Sequence, residues 1–147
     1  MSTSKSGLSA EDYCEIQNLY GYYNLCSDAG DAAGYASCFT DDGEVRIDTV
    51  GVKVKGRQSL HDFKVADAGR RGARIRRHWN GSLHLQKLPD GTVRGRCYLH
   101  GYNGDPGKIP EIADVGVYED TLVKVGSEWK FARRLISMDA TNFKAPK

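Results

Sequence analysis

The sequence predicts an α+β domain, with helices packed on one face of a curved antiparallel sheet. Two observations carry this. Helical periodicity is confined to the first half of the chain, where one pair of short strand patterns interrupts it, and the second half reads as four long strands with no helix between them. The breaks Pro89-Asp90-Gly91 and Gly126-Ser127 are tight-turn signals that join neighbouring strands as hairpins. Helices on one face of such a sheet make an α+β domain.

Ser9, with Asp12 three residues on, reads as the N-cap and acidic capping box of a first helix. Tyr13, Ile16, Leu19, Tyr20 and Tyr23 recur at three- and four-residue spacing and form its apolar face. Gly30 supplies a left-handed end after Asp28-Ala29. Asp31 then caps a short second helix, expected to bury Tyr35, Cys38 and Phe39 and to stop at Asp41-Asp42-Gly43. Short strands are expected over 44–48 and 50–55, and a third helix over 57–68 with Leu60, Phe63 and Val65 as its apolar residues, broken by Gly69 to Gly72. The long strands cover 74–88, 92–103, 112–125 and 128–140, and the 104–111 loop, which holds Pro106 and Pro110, is a longer connection at the rim of the sheet.

A length of 147 residues suits one domain, and 39% hydrophobic with 27% charged residues excludes wholesale disorder. Residues 1–8 are expected as a flexible N-terminus, 9–140 as the domain and 141–147 as a tail. A net charge of +2 does not imply a polyanionic partner. The run from Arg70 to Arg77 can be an anion or nucleic-acid patch or a solvated loop and strand start; the small overall charge favours the second, so no nucleic-acid partner is expected. Cys14, Cys26, Cys38 and Cys97 form no C-x-x-C pair and lie beside no histidine at zinc-ligand spacing, so they read as buried free thiols. No metal or nucleotide cofactor is expected, since no Gly-rich strand-to-helix turn is present either. No apolar run approaches the ~20 residues that span a bilayer, and Met1 to Ser6 lacks the apolar core of a signal peptide, so the expectation is a cytoplasmic protein with no membrane partner.

Four histidines are candidates for chemistry: His61, His78, His84 and His100. His61, on the third helix, is expected at the surface. Strand alternation puts His78, Asn80, Ser82, His84 and Gln86 on one face and Trp79, Leu83 and Leu85 on the other. In an ordinary two-layer domain that polar face points to water. Asp28 closes the first helix, where the negative end of the helix dipole opposes a carboxylate. It is either a solvated loop acid or the partner of an imidazole. Tyr23, five residues upstream, either lines the same cavity or belongs to the core stripe.

Leu19-Tyr20-Gly21-Tyr22-Tyr23, Asp28-Ala29-Gly30-Asp31, Cys38-Phe39-Thr40-Asp41-Asp42-Gly43, Gly116-Val117-Tyr118-Glu119-Asp120 and Trp129-Lys130-Phe131-Ala132-Arg133-Arg134 together resemble the SnoaL-like family of the nuclear-transport-factor-2-like superfamily. The resemblance implies a cone whose concave sheet and helices enclose an apolar pocket, with the face of His78 turned into it. The arrangement is similar to scytalone dehydratase, hexachlorocyclohexane dehydrochlorinase and the bile-acid 7α-dehydratases, which pair an aspartate ending the first helix with a histidine early in the first long strand. Asp28 and His78 hold those places, and Tyr23 falls where the bile-acid enzymes carry a tyrosine. No second histidine of the scytalone dehydratase kind is evident, because the strand parity of His100 pairs it with Arg94 and Arg96. Ile47 stands where ketosteroid isomerases carry an aspartate, with Asp48 adjacent and of opposite parity, which disfavours an isomerase of that type.

What the resemblance implies is a cofactor-independent lyase, a dehydratase acting on a hydrophobic cyclic or polycyclic hydroxy-carbonyl compound such as a steroid or polyketide. His78 would be the general base, Asp28 its orienter and Tyr23 a catalytic hydrogen-bond donor, with Tyr118, Asn80 and Trp79 contacting substrate. A polyketide cyclase or isomerase using the same pocket, or a non-catalytic small-molecule-binding domain, are the alternatives. The family also implies a homodimer or homotrimer.

Overall fold

The computed structural model describes residues 4–144. Residues 1–3 of the expected flexible N-terminus and 145–147 of the expected tail lie outside the described residues.

Helix α1 spans Ala10–Ala29. Ser9 caps it, its Oγ accepting the Asp12 N–H at 3.0 Å, while Asp12 itself accepts from Lys124 Nζ and Trp129 Nε1, both at 2.9 Å, and so ties the helix start to the sheet. Helix α2 spans Ala32–Ser37 under an Asp31 cap that accepts the Gly34 N–H at 2.9 Å. Phe39 belongs not to this helix, as its spacing from Tyr35 suggests, but to strand β1, Phe39–Ile47, which runs straight through Asp41-Asp42-Gly43. A single 3₁₀ turn, Asp48–Val50, leads to β2, Val52–Lys55.

Helix α3, Arg57–Arg71, passes through Gly69 and ends only at Gly72, whose φ of 60° no helix accommodates. Its buried residues are Leu60, Lys64 and Asp67, while Val65, expected inside, is 52% exposed. Four strands follow: β3 (Ile75–Lys87), β4 (Val93–Gly104), β5 (Glu111–Val125) and β6 (Glu128–Thr141). The sheet order is β2-β1-β6-β5-β4-β3. Every pair is antiparallel except β1 with β6, which lie far apart in the chain and are free of any hairpin constraint.

The inner face of the sheet closes on α1. Ile16, Tyr20 and Tyr23 pack with Phe39, Leu85, Leu122 and Phe131, and Phe131 meets the rings of Tyr20, Tyr23 and Phe39 at centroid distances of 5.2, 5.7 and 5.6 Å. A side chain at Gly95 would collide with the Tyr20 hydroxyl, so glycine there lets the helix approach β4. Cys26, Cys38 and Cys97 are buried free thiols; Cys14, expected with them, is exposed.

Strand β3 departs from simple alternation. Ser82 sits at φ 56°, and between Gly81 and His84 two residues of β3, Ser82 and Leu83, are accommodated against one of β4, Cys97. This bulge reverses the parity of the strand. His78 and Asn80 face inward before it; after it Leu85 enters the core and His84 pairs with the outward Arg96. The expected five-residue polar face is thus cut short. Among the described residues, no helix is long and apolar enough to cross a membrane.

Candidate active site

Asp28 lies in the last turn of α1, just before Gly30 takes the chain out of the helix at φ 75°. Its carboxylate opposes the helix dipole and needs a compensating partner. One residue supplies two contacts. The His78 backbone N–H donates to Oδ2 at 2.9 Å, and His78 Nδ1 lies 2.5 Å from Oδ1. Both side chains are largely buried, 13% exposed for His78 and 9% for Asp28. With the Nδ1 hydrogen given to the carboxylate, the neutral ring keeps its lone pair on Nε2, the nitrogen free to act as a base.

A second strut holds the pair. Asn24, one turn before Asp28 on the same face of α1, donates to Asn80 Oδ1 at 2.7 Å, and Asn80 donates to the Tyr98 carbonyl at 3.2 Å. Helix end and strand are therefore fixed at two points, two residues apart on β3.

His78 opens on a narrow cavity of ≈ 50 Å³, lined also by Tyr23, Tyr35, Leu99, Tyr118 and Ile136. That space holds a few waters, whereas small-molecule sites usually measure ~300 Å³ or more, so the walls must part to admit a cyclic compound. Phe63, Met138 and Phe143 are the half-buried apolar residues of that wall. Burial pushes the Tyr23 phenol above its ordinary pKa although the Arg134 charge and the Tyr35 hydroxyl pull the other way, so Tyr23 stays a hydrogen-bond donor. Burial pushes Tyr118 up still further.

A family described as the SnoaL-like domain matches residues 8–135. The chain belongs to the SnoaL-like family. Its members include polyketide cyclases and dehydratases. Aln2 from a Streptomyces species is 26% identical, with a TM-score of 0.83 over 92% of this chain and 95% of that one. ActVI-ORFA from Streptomyces coelicolor is likewise 26% identical, at TM-score 0.81 over 88% of this chain and 98% of that one. An NTF2-like protein with a cystatin-like fold from Novosphingobium aromaticivorans, 22% identical, superposes at TM-score 0.74 over 88% of this chain and 82% of that one, and shares the fold. No curated protein gives a significant match.

In this SnoaL-like domain the sequence-predicted residues divide. Asp28, His78, Tyr23 and Tyr118 converge, the first two in direct contact and the last three on the cavity wall. Asn80 is a strut rather than a wall residue. Trp79 is 67% exposed on the outer face, because it neighbours the inward His78 on a pleated strand, and it does not line the cavity. His100 is exposed beside Arg96 and Arg94 on the outer face of β4, and His61 bonds Asp62 at 3.1 Å near the surface. Ile47 lines the cavity, while the neighbouring Asp48 turns outward to Arg46 at 2.9 Å.

Two charged groups of the site escape a reading by composition. Lys64, 4% exposed, donates to Ser27 Oγ at 2.8 Å and Asp67 Oδ2 at 3.2 Å and lies 4.5 Å from the Tyr35 ring centroid. Burial lowers its pKa against the pull of Asp67. Behind the tyrosines Arg134 is wholly buried, with Nε and Nη2 each donating to Asp120 at 2.8 Å and its guanidinium carbon 4.1 and 4.0 Å from the Tyr23 and Tyr118 ring centroids.

The Tyr23→Phe variant separates packing from chemistry. Ring burial is retained, so stability should fall by about 1 kcal/mol or less. If the hydroxyl supports developing charge, kcat should drop roughly 10²-fold with KM little changed. Unaltered kcat would make Tyr23 a packing residue only.

Proposed function

We propose that this SnoaL-like protein is a cofactor-independent dehydratase that removes water from a hydrophobic cyclic or polycyclic hydroxy-carbonyl compound. The observation that carries the reading is the His78–Asp28 pair, its basic nitrogen left for the apolar-walled cavity. Nε2 of His78 takes a proton from the carbon beside the carbonyl, and the C–H electrons form an enolate. Tyr23 and Tyr118 donate hydrogen bonds to its oxygen, and the Lys64–Asp67 pair lines the same cavity. Collapse of the enolate makes the carbon–carbon double bond and expels the β-hydroxyl. The leaving oxygen recovers the proton from the His78 imidazolium and departs as water, which returns the base to its starting state. Asp28 holds the ring orientation and its carboxylate stabilises the imidazolium.

The test is a panel of bicyclic and tricyclic β-hydroxy ketones, offered to protein dialysed extensively against a chelator and free of nicotinamide and flavin. A conjugated enone lighter than its substrate by one water is the expected product. A product of unchanged mass would instead identify a cyclase or isomerase using the same base, and binding without conversion a carrier. Activity that vanished on dialysis and returned with zinc or magnesium would contradict the cofactor-independent reading.

A further inference from the structure

The arginine run passes from the end of α3 through an exposed loop into the start of β3, as expected, and most of it lines one cleft. Arg70, Arg71, Arg74 and Arg76 converge on a cleft of ≈ 200 Å³, whose walls also include Asp67, Glu111 and Phe143. Asp67, Arg76 and Phe143 line the inner cavity as well, so cleft and cavity are neighbouring compartments with a shared wall. The charges do not cancel. The buried Asp67 carboxylate serves Lys64 at 3.2 Å, Arg76 at 3.1 Å and Arg70 at 3.8 Å, three cations to one anion. Among the described residues Arg71 donates to the Ser27 carbonyl, at 3.4 Å, and Arg70 otherwise to the Lys144 carbonyl, at 2.5 Å. Lys144 is itself on the wall. Arg74 meets Asp105 at 3.6 Å with both side chains more than half exposed, so water screens that pair. Glu111 is the remaining acid of the wall. Burial, with Arg76 and Arg77 nearby, lowers the Arg71 pKa against the pull of Asp67 and Asp28.

We propose that this cleft is an anion subsite, and that the substrate carries a carboxylate or phosphate which docks on Arg70, Arg71 and Arg74 while its apolar ring system enters the cavity beside His78. The guanidinium fork matches either anion with paired hydrogen bonds. The apolar Phe143 ring, 5.7 Å from the Arg70 guanidinium carbon, stands where the charged and apolar parts of such a molecule would meet. The proposal rests on the cavity taking the substrate's rings, and not on the elimination chemistry.

The test uses 1-naphthoate, 1-naphthyl phosphate and the neutral 1-naphthamide, titrated calorimetrically at low and raised salt. The wild-type protein should bind one or both anions at least about tenfold more tightly than the amide, with the advantage shrinking as salt rises. The better anion names the group the substrate carries. Arg70→Gln/Arg74→Gln should erase the advantage without weakening the amide, whereas Arg77→Gln/Arg94→Gln, an equal charge loss on outward-facing residues, should preserve it. His78→Ala should preserve it too. Equal affinity for anion and amide, or an advantage surviving in Arg70→Gln/Arg74→Gln, overturns the subsite. Loss of the advantage in His78→Ala also overturns it, by placing the anion on the imidazole. Binding of inorganic phosphate that depends on Arg70 and Arg74, with no gain from the naphthyl ring, would uphold the anion site and fail the cavity.

Discussion

His78→Ala is expected to cut turnover by roughly 10²–10⁴-fold while leaving the fold intact. The large kinetic effect follows from the absence of a stand-in. His61, His84 and His100 all lie off the cavity wall, so no second imidazole among the described residues can take the proton. The small structural effect follows from the position. The His78 side chain contributes one contact at the end of α1, while the backbone N–H that also holds Asp28 survives the substitution. Asp28→Asn should be nearly as harmful. The amide keeps the shape but cannot stabilise an imidazolium, and it can present its NH₂ to Nδ1, which would move the ring hydrogen to Nε2 and remove the base. Measured kcat with far-ultraviolet circular dichroism as the folding control decides the matter. Near-normal kcat in His78→Ala on a turned-over substrate would end the assignment of His78 as base.

Local signals in the sequence were legible because each is complete within a few residues. Ser9, Gly30 and Asp31 cap their helices as their types require, and Asp28 stands out as a carboxylate at the wrong end of a dipole. The resemblance supplied the partner of Asp28 and the curvature of the sheet. Other features depend on long-range pairing. Phe39 lies four residues after Tyr35 and reads as helical until Phe131 claims it across the β1–β6 seam. The bulge at Ser82 spends one residue and reverses the alternation beyond it, which strict parity cannot anticipate. Lys64 and Asp67 share the Leu60 face at helical spacing, so the signal was present, but charged residues are discounted as core unless their mutual partner is seen. Arg70 to Arg77 reads as a surface run in one dimension. In three, helix end, loop and inward strand position fold four of its arginines round one cleft.

The largest loss of stability is expected from Arg134→Met. Arg134 and Asp120 are 0% and 3% exposed and share two hydrogen bonds, and the Tyr20 hydroxyl donates to the same carboxylate. Burial opposes the guanidinium charge, but Asp120, Tyr23 and Tyr118 together hold its pKa well above the ordinary value. Four aromatic rings surround it, those of Tyr20, Tyr23, Tyr118 and Phe131, so the cation is also what those π faces are turned towards. Methionine fills much of the volume but strands Asp120 in the core with a single neutral donor. Breaking a buried pair from one side costs about 3–5 kcal/mol, against a total of roughly 5–15 kcal/mol for a domain, and the melting temperature should drop by on the order of 10 °C. Removing both charges should behave differently, since an apolar pair of similar volume strands nothing. Arg134→Met/Asp120→Leu should therefore recover most of the stability lost by the single variant. Chemical denaturation of the two variants and the parent measures the coupling. An Arg134→Met protein within about 1 kcal/mol of the parent, or a double variant no more stable than the single, would mean that the pair does not hold the core together.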